Sequence, residues 1–411
     1  LFTVTGRRDG FSGFGAENKY GFFPSVALGW NISNEAFMKN NPTINQLKLR
    51  VSYGENGNQA VGPYQTIARM DDYSYLDGTS TAPGYRPRTL GSPDLGWETT
   101  ASFNAGLDFT LFKSTIQGTL DVFDANTDRL LLNRRISSVH GITSITQNIG
   151  KTNNRGVELG LTSFNIDNEK ISWSTNYNFS YIKNKIVDLY GDGSDDVLNE
   201  WFIGQPIRVN YGFVYDGVWQ LSDDYDNAHQ ENVKPGDLKI KDLNGDGMVT
   251  DGEDRKVQGQ RDPLVVWGIN NTFTYSNFTL YFLLQGMHGH DRVNDLRNTD
   301  PWNNVRRNVV KQNWWTPENP TNEQPAKNRD ANPRAVGIIE NLGFVRLRDV
   351  SLSYDISNAL LEKLRMRNLR LYVSGRNLLT FTQWTGLDPE LENQTGIPMQ
   401  REYVVGLNVG F

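Results

Sequence analysis

Cysteine is absent from the 411 residues, which removes disulfide frameworks and thiolate metal sites together. Positive charge is not in excess: 41 Lys and Arg face 47 Asp and Glu, a formal net charge of -6. A nucleic-acid surface needs clustered basic charge, so no nucleic-acid partner is expected. Long apolar runs are missing too, none approaching the roughly 20 residues of a membrane-spanning helix. The opening stretch LFTVTGRRDGFSGFG has no starting Met, no charged leader and no apolar core. It opens inside a strand-like pattern, and the chain is expected to be the C-terminal part of something longer.

Enzyme signatures are scarce. There is no Gly-Xaa-Ser-Xaa-Gly elbow and no Walker-type glycine loop. The four histidines are His140, His229, His288 and His290. His288 and His290 with Asp291 could begin a metal site, but no third ligand is spaced nearby, and they read as strand or loop residues. No catalytic residues are expected, and no enzyme.

What the chain has in quantity is period-2 alternation. In ISWSTNYNFSYI, Ile171, Trp173, Thr175, Tyr177, Phe179 and Tyr181 share one face; Ser and Asn fill the other. ASFNAGLDFTL (101–111) and VVWGINNTFTY (265–275) divide in the same way. Such segments run about 10–12 residues, the length of a tilted transmembrane strand; soluble strands cluster near 5–6. Their polar faces carry Ser, Asn, Thr and Gly more than charge. The mean hydropathy of -0.55 leaves a membrane barrel open, because alternation keeps the average low.

Connections alternate short and long. The short ones are 112–114, 165–170 and 276–277; the long ones are 55–96, 127–154, 185–263 and 291–340. Membrane barrels show this asymmetry between periplasmic turns and extracellular loops. The pattern predicts twelve crossings near 1–8, 20–33, 46–54, 97–111, 115–126, 155–166, 170–184, 264–275, 278–290, 341–355, 366–378 and 400–411. It makes 185–263 one large extracellular excursion, with IRVNYGFVYDGVWQ as β-structure outside the membrane. In FVRLRDVSLSYDI the apolar phase slips near Arg348, as a β-bulge would cause. The end, REYVVGLNVGF, alternates to a terminal Phe411, as in a strand read by outer-membrane barrel assembly.

Ordered blocks now coincide: LKLRVSYGENGNQAVGPY (47–64), SPDLGWETTASFNAGLDF (92–109), NIGKTNNRGVELGL (148–161), KPGDLKIKDLNGDG (234–247), WWTPENP (314–320), FVRLRDVSLSYDIS (344–357) and LYVSGRNLLTFTQWTGLDPE (371–390). The chain resembles the SusC-like (RagA-like) TonB-dependent outer-membrane transporters of Bacteroidota over nearly its whole length. That resemblance implies an all-β fold, an antiparallel transmembrane barrel of about 22 strands of which these are the last twelve. It also implies a plug and a TonB-contacting segment, for which this chain has no counterpart. A SusD-like surface lipoprotein is the implied partner, with a glycan or peptide as substrate and outer-membrane lipid around the wall. A dimer of the two-protein complex is a further expectation. The localisation expected is the outer membrane of a Gram-negative cell.

DLNGDGMVTDGE (242–253) matches the oxygen spacing of a calcium loop. Asp242, Asn244 and Asp246 take positions one, three and five; Gly247 permits the turn, the Met248 carbonyl serves at seven and Glu253 at twelve. In the resembling family the closing acid usually precedes an Arg, so Glu253 and Asp254 remain alternatives before Arg255. A structural Ca2+ is expected; the competing reading is an Asx/Gly turn with no ion. Trp201, Trp219, Trp302, Trp314, Trp315 and Trp384 lie outside the predicted membrane band and are candidates for sugar or peptide contact. The expected function is TonB-energised import of large nutrients. The alternative is a barrel scaffold for protein export or attachment.

Overall fold

The computed structural model describes residues 1–411 except 40, 138, 140, 295, 298–310, 328–331, 333, 335 and 393–395. Its main element is one sheet of twelve strands hydrogen-bonded in chain order. These are β1 (Phe2–Gly10), β2 (Tyr20–Asn31), β3 (Ile44–Asn58), β4 (Glu98–Leu111), β5 (Ile116–Asp128) and β6 (Lys151–Asp167), then β7 (Ile171–Asp188), β8 (Val265–Tyr275), β9 (Phe278–His288), β10 (Phe344–Asp355), β11 (Asn368–Thr382) and β12 (Glu402–Gly410). Each expected crossing is a strand. IRVNYGFVYDGVWQ falls outside the large sheet, as expected: Val209–Phe213 pairs with Arg255–Gln260, and Tyr215–Val218 with Leu238–Ile240.

The contacts divide the chain into two compact units, 1–163 with 180–207, and 164–179 with 208–411. In the first unit, register joins like to like. Leu28 faces Val51, Val51 faces Ala105, Ala105 faces Val122 and Val122 faces Val157. One step along, Trp30, Leu49, Leu107, Leu120 and Leu159 form a second apolar row. These rows are exposed: Leu28 is 55% accessible, Trp30 49% and Val122 47%. A sheet that folds in water buries such a row and wets the other face. Here the accessible face is the apolar one.

The reverse face carries ions. Arg50 donates through Nε to Asp108 Oδ1 (2.9 Å) and through an Nη to Asp121 Oδ2 (3.0 Å). Gly106 lies beneath that guanidinium; a Cβ there would stand 2.4 Å from an Asp121 oxygen. The tight turn between β4 and β5 places Phe112, Lys113 and Ser114 successively at φ of 53°, 55° and 70°. A Cβ resists that region, so the turn stores strain that the flanking strand pairing must offset.

The second unit repeats the sidedness. Phe273, Leu280, Leu352, Val373 and Val405 are neighbours across β8 to β12. The slip expected near Arg348 is a bulge: Leu284 faces Leu347 while Leu283 faces Asp349, so Arg348 has no residue opposite it. Across the other edge, Leu347 faces Leu379 and Asp349 faces Arg376, leaving residues 377 and 378 unopposed.

One polar group interrupts an apolar row. Asn271, 8% accessible, follows Ile269 and precedes Phe273 on the same face. Its Oδ1 accepts from Trp173 Nε1 (2.9 Å) and Thr175 Oγ1 (2.6 Å); Asn165 Nδ2 in turn donates to that hydroxyl (2.9 Å). Water cannot replace these bonds in hydrocarbon. Asn271→Leu is therefore expected to destabilise by about 1–3 kcal/mol although it makes the row more apolar, read as a lower urea midpoint in lipid vesicles.

Candidate functional site

The excursion between β7 and β8 shares a small core in the second unit with the connection between β9 and β10. Phe213, Leu238, Ile240, Val249 and Val336 bury one another, with Tyr215 packed against them. The paired short strands supply Phe213, Tyr215, Leu238 and Ile240, the 242–254 loop supplies Val249, and the connection between β9 and β10 supplies Val336. Arg255 and Arg334 lie over the Phe213 ring at 4.6 and 5.0 Å, and Asp251 bridges them at 3.3 and 3.1 Å.

The loop 242–254 hangs from this core by Asp254. That carboxylate is fully buried and accepts from the Leu243 and Thr250 amides, both at 2.7 Å. The Thr250 amide, helped by that of Leu243, holds its pKa below the ordinary carboxylate value. A lowered folded-state pKa means the contribution is full above the unfolded value and fades as pH falls through the folded one. Loop opening on acidification is thus expected below the ordinary Asp range. Asp254→Ala, which orphans two amides, is expected to loosen the loop by about 1–3 kcal/mol, seen as faster proteolysis of 242–254 at neutral pH.

The remaining acids face one another. Asp242 accepts from the Gly245 amide (2.7 Å) and the Gly247 amide (2.9 Å), with both glycines at positive φ. Asp246 accepts from the Met248 amide at 2.8 Å. The Asn244 Nδ2 group lies between Asp246 Oδ2 (3.1 Å) and Glu253 Oε2 (3.0 Å). A partly positive N–H thus bridges the two acids that a hard cation would join, and every side-chain donor in the set is oxygen once that amide turns over. Among the described residues, no three His, Cys, Asp or Glu side chains form a ready cage; Asn244 and the Met248 carbonyl must complete one. The two closing acids separate in role: Asp254 braces the loop from inside, and Glu253 stands on the side of Asn244 and Asp246.

The tryptophans divide by burial. Trp219 is 3% accessible, donates to Gln230 Oε1 (3.1 Å) and carries Lys239 Nζ 4.5 Å over its ring. Trp315 is buried and donates to Gln220 Oε1 at 2.9 Å. Trp384 is buried, and its Nε1 has no partner among the described residues. Rings closed off in this way pack loops, so they lose the accessible face that substrate contact needs. Trp314, bridged to Gln324, and Trp201, bridged to Asp196 in the other unit, keep part of their surface. Trp302 and His140 lie outside the described residues. His288 stacks on Trp267 at 6.4 Å. His290 is buried, and burial lowers its pKa, with Arg292 adding to the effect.

One cluster escaped the sequence reading. The Arg346 side chain, 2% accessible, meets Asp388 at 2.7 Å and Glu390 at 2.6 Å. Arg348, freed by the bulge, reaches Glu390 at 3.1 Å. Asp388 also accepts from the Glu390 and Met399 amides. Nearby, Glu340 accepts from Arg297 (2.6 Å), Asn294 (3.1 Å) and Thr385. Together these tie the 383–401 loop to the start of β10. RLRD and LDPE lie about 40 residues apart, and only the family-like blocks that contain them hinted that both matter.

Comparison with known proteins agrees with the sheet. Residues 1–378 match the family model described as TonB dependent receptor-like, beta-barrel. TonB-dependent receptor P3 of Formosa agariphila is 33% identical over 437 residues, covering all of this chain and 42% of that protein. TonB-dependent receptor SusC of Bacteroides thetaiotaomicron is 28% identical, again over the whole chain and 42% of its own length. The chain thus spans about two-fifths of the length of these relatives. Among solved structures, the RagAB peptide transporter superposes with a TM-score of 0.82 at 24% identity, over 100% of this chain and 46% of that one.

Proposed function

This chain belongs to the family of TonB-dependent receptor-like β-barrels of the outer membrane, and from that premise we propose that it forms wall and loops of an importer for large nutrients. In this reading, TonB energises the importer through a segment outside this chain, and a SusD-like lipoprotein works with it at the surface. The substrate is an oligosaccharide or a peptide. The observation that carries the reading is the reversed sidedness, with exposed Leu28, Val122, Leu352 and Val373 set against ionic Arg50, Asp108 and Asp121. A wall of that kind separates lipid from a wet interior. Trp201 and Trp314, each on its own loop, remain the substrate-contact candidates.

The test is uptake by cells. Loss of labelled oligosaccharide or peptide uptake on removing TonB, as on removing this receptor, supports energised import. Uptake that survives removal of TonB but not of the receptor defeats it. Surface display of a partner protein that fails only with the receptor would support the scaffold instead.

We propose also that the 242–254 loop takes a structural Ca2+ through Asp242, Asn244, Asp246, the Met248 carbonyl and Glu253. Bound there, the ion would neutralise acids that otherwise repel one another. Protease resistance of the loop is expected to rise with calcium, and Asp242→Ala with Asp246→Ala to abolish that rise. An unchanged calcium response in the double variant refutes the clip.

A further inference from the structure

Beyond the apolar rows of the first unit, the same face of the sheet turns ionic. Along β5, Leu120 and Val122 give way to Asp124 and Asp128; along β6, Leu159 and Val157 give way to Arg155 and Lys151. The change falls at the strand ends from which the excursions 129–150 and 189–264 leave. The next strand, β7, continues it. Asn184 Nδ2 donates to Asn154 Oδ1 at 2.7 Å. Side chains alternate along a strand, so Asn154 stands on the reverse face and Asn184 with it. Lys183 and Lys185 then stand on the apolar side, just past Tyr181.

The acids on this patch are already engaged. Asp128 pairs with Lys151 at 3.0 Å. Asp124 Oδ1 accepts from the side-chain amides of Asn126 (2.7 Å) and Asn153 (2.9 Å). Asp124 is opposite Arg155 in register, yet the two form no ion pair. Among the described residues, the side chains of Arg155, Lys183 and Lys185 have no ion-pair or hydrogen-bond partner, and all three are exposed. The patch is net positive on a chain whose formal net charge is -6. In the second unit, the apolar face from Phe273 to Val405 carries no Lys or Arg among its described strand residues.

Neighbours on one face stand about 7 Å apart along a strand and about 5 Å apart across two. A phosphate with several acceptor oxygens can bridge cations at that spacing. The long stems of Lys and Arg lie on apolar surface while their heads reach polar ground. A soluble anion would meet the charges alone. A lipid also meets the hydrocarbon beside them, on Val122, Val157 and the Tyr181 ring, which is 38% accessible. We propose that Arg155, Lys183 and Lys185 dock the phosphate of an anionic lipid whose acyl chains lie along that apolar row. The site is on the lipid side of the wall, so import can fail while the site stands, and the reverse.

The experiment follows lipid retention by native mass spectrometry of the detergent-purified full-length receptor, titrated with phosphatidic acid, phosphatidylcholine or inorganic phosphate. Phosphatidic acid is expected to bind, and phosphatidylcholine, whose own cation is repelled, to bind about tenfold more weakly. Lys183→Gln with Lys185→Gln should weaken phosphatidic acid about tenfold, and Lys183→Arg with Lys185→Arg should keep it. Lys113→Gln with Lys170→Gln removes the same charge at the short turns and should leave binding unchanged. The inference is overturned if phosphatidic acid fails to bind, if phosphatidylcholine binds as well, or if inorganic phosphate in excess displaces the lipid. It is overturned equally if the two glutamine pairs act alike, or if the pair at 183 and 185 alters oligomeric state and not lipid retention.

Discussion

Arginine at Leu120 is expected to destabilise the protein in a bilayer by about 2–4 kcal/mol. Leu120 is 36% accessible and stands between Leu107 and Leu159, well inside the apolar row. A guanidinium there must either enter hydrocarbon or bend away along the strand. The neighbouring position provides the control. Thr119 is exposed on the opposite face, directly across from Asp108, and arginine there gains a carboxylate partner. The contrast between adjacent residues is the test, because both variants change charge equally. Urea refolding into lipid vesicles should lower the midpoint for Leu120→Arg and leave Thr119→Arg within about 0.5 kcal/mol of the parent. Equal losses at the two sites would mean that the sheet is not sided.

The second large effect is expected at Arg346. Its side chain is buried with Asp388 and Glu390, whose side chains are 8% and 12% accessible. Arg346→Ala would leave two acids without their cation, a loss of about 3–5 kcal/mol for a buried pair broken on one side. Arg348 still touches Glu390 and would recover part of it. Asp388→Asn with Glu390→Gln added to Arg346→Ala removes the stranded charge, and stability should return most of the way. Limited proteolysis of 383–401 reads the local part of the effect, and a double-mutant cycle isolates the coupling. Full additivity across the cycle would show that the ions merely sit near one another.

The strands were legible because a bilayer imposes a rule on every residue in turn: one side must suit acyl chains and the next need not. That rule marks Val26, Leu28 and Trp30 as plainly as Phe273 and Tyr275. Even the irregularity at Arg348 appeared, since a bulge shifts the phase of everything beyond it. The excursions follow no such rule. Trp219, Trp315 and Trp384 look identical to exposed aromatics in sequence, and only the partners they find, Gln230 and Gln220 among them, remove them from solvent. The acids at 253 and 254 are adjacent, yet one is buried and the other is not. No spacing rule distinguishes them, because the difference arises from Leu243 and Thr250 closing on Asp254. The Arg346 cluster was hidden for a related reason. Its partners are brought together by the loop's return, not by distance along the chain.

Arg348 acts on β10 much as an inserted nucleotide acts on a reading frame. Before it, the residues in the apolar row bear odd numbers, Val345 and Leu347; after it they bear even ones, Val350, Leu352 and Tyr354. Excising that single arginine would join Leu347 to Asp349 opposite the adjacent Leu284 and Leu283 and keep the row intact, whereas excising Val350 would set Ser351 and Ser353 where the row requires hydrocarbon and turn Leu352 inward. A strand of this kind tolerates many exchanges of one side chain for another and almost no change in length on either side of its one unopposed residue.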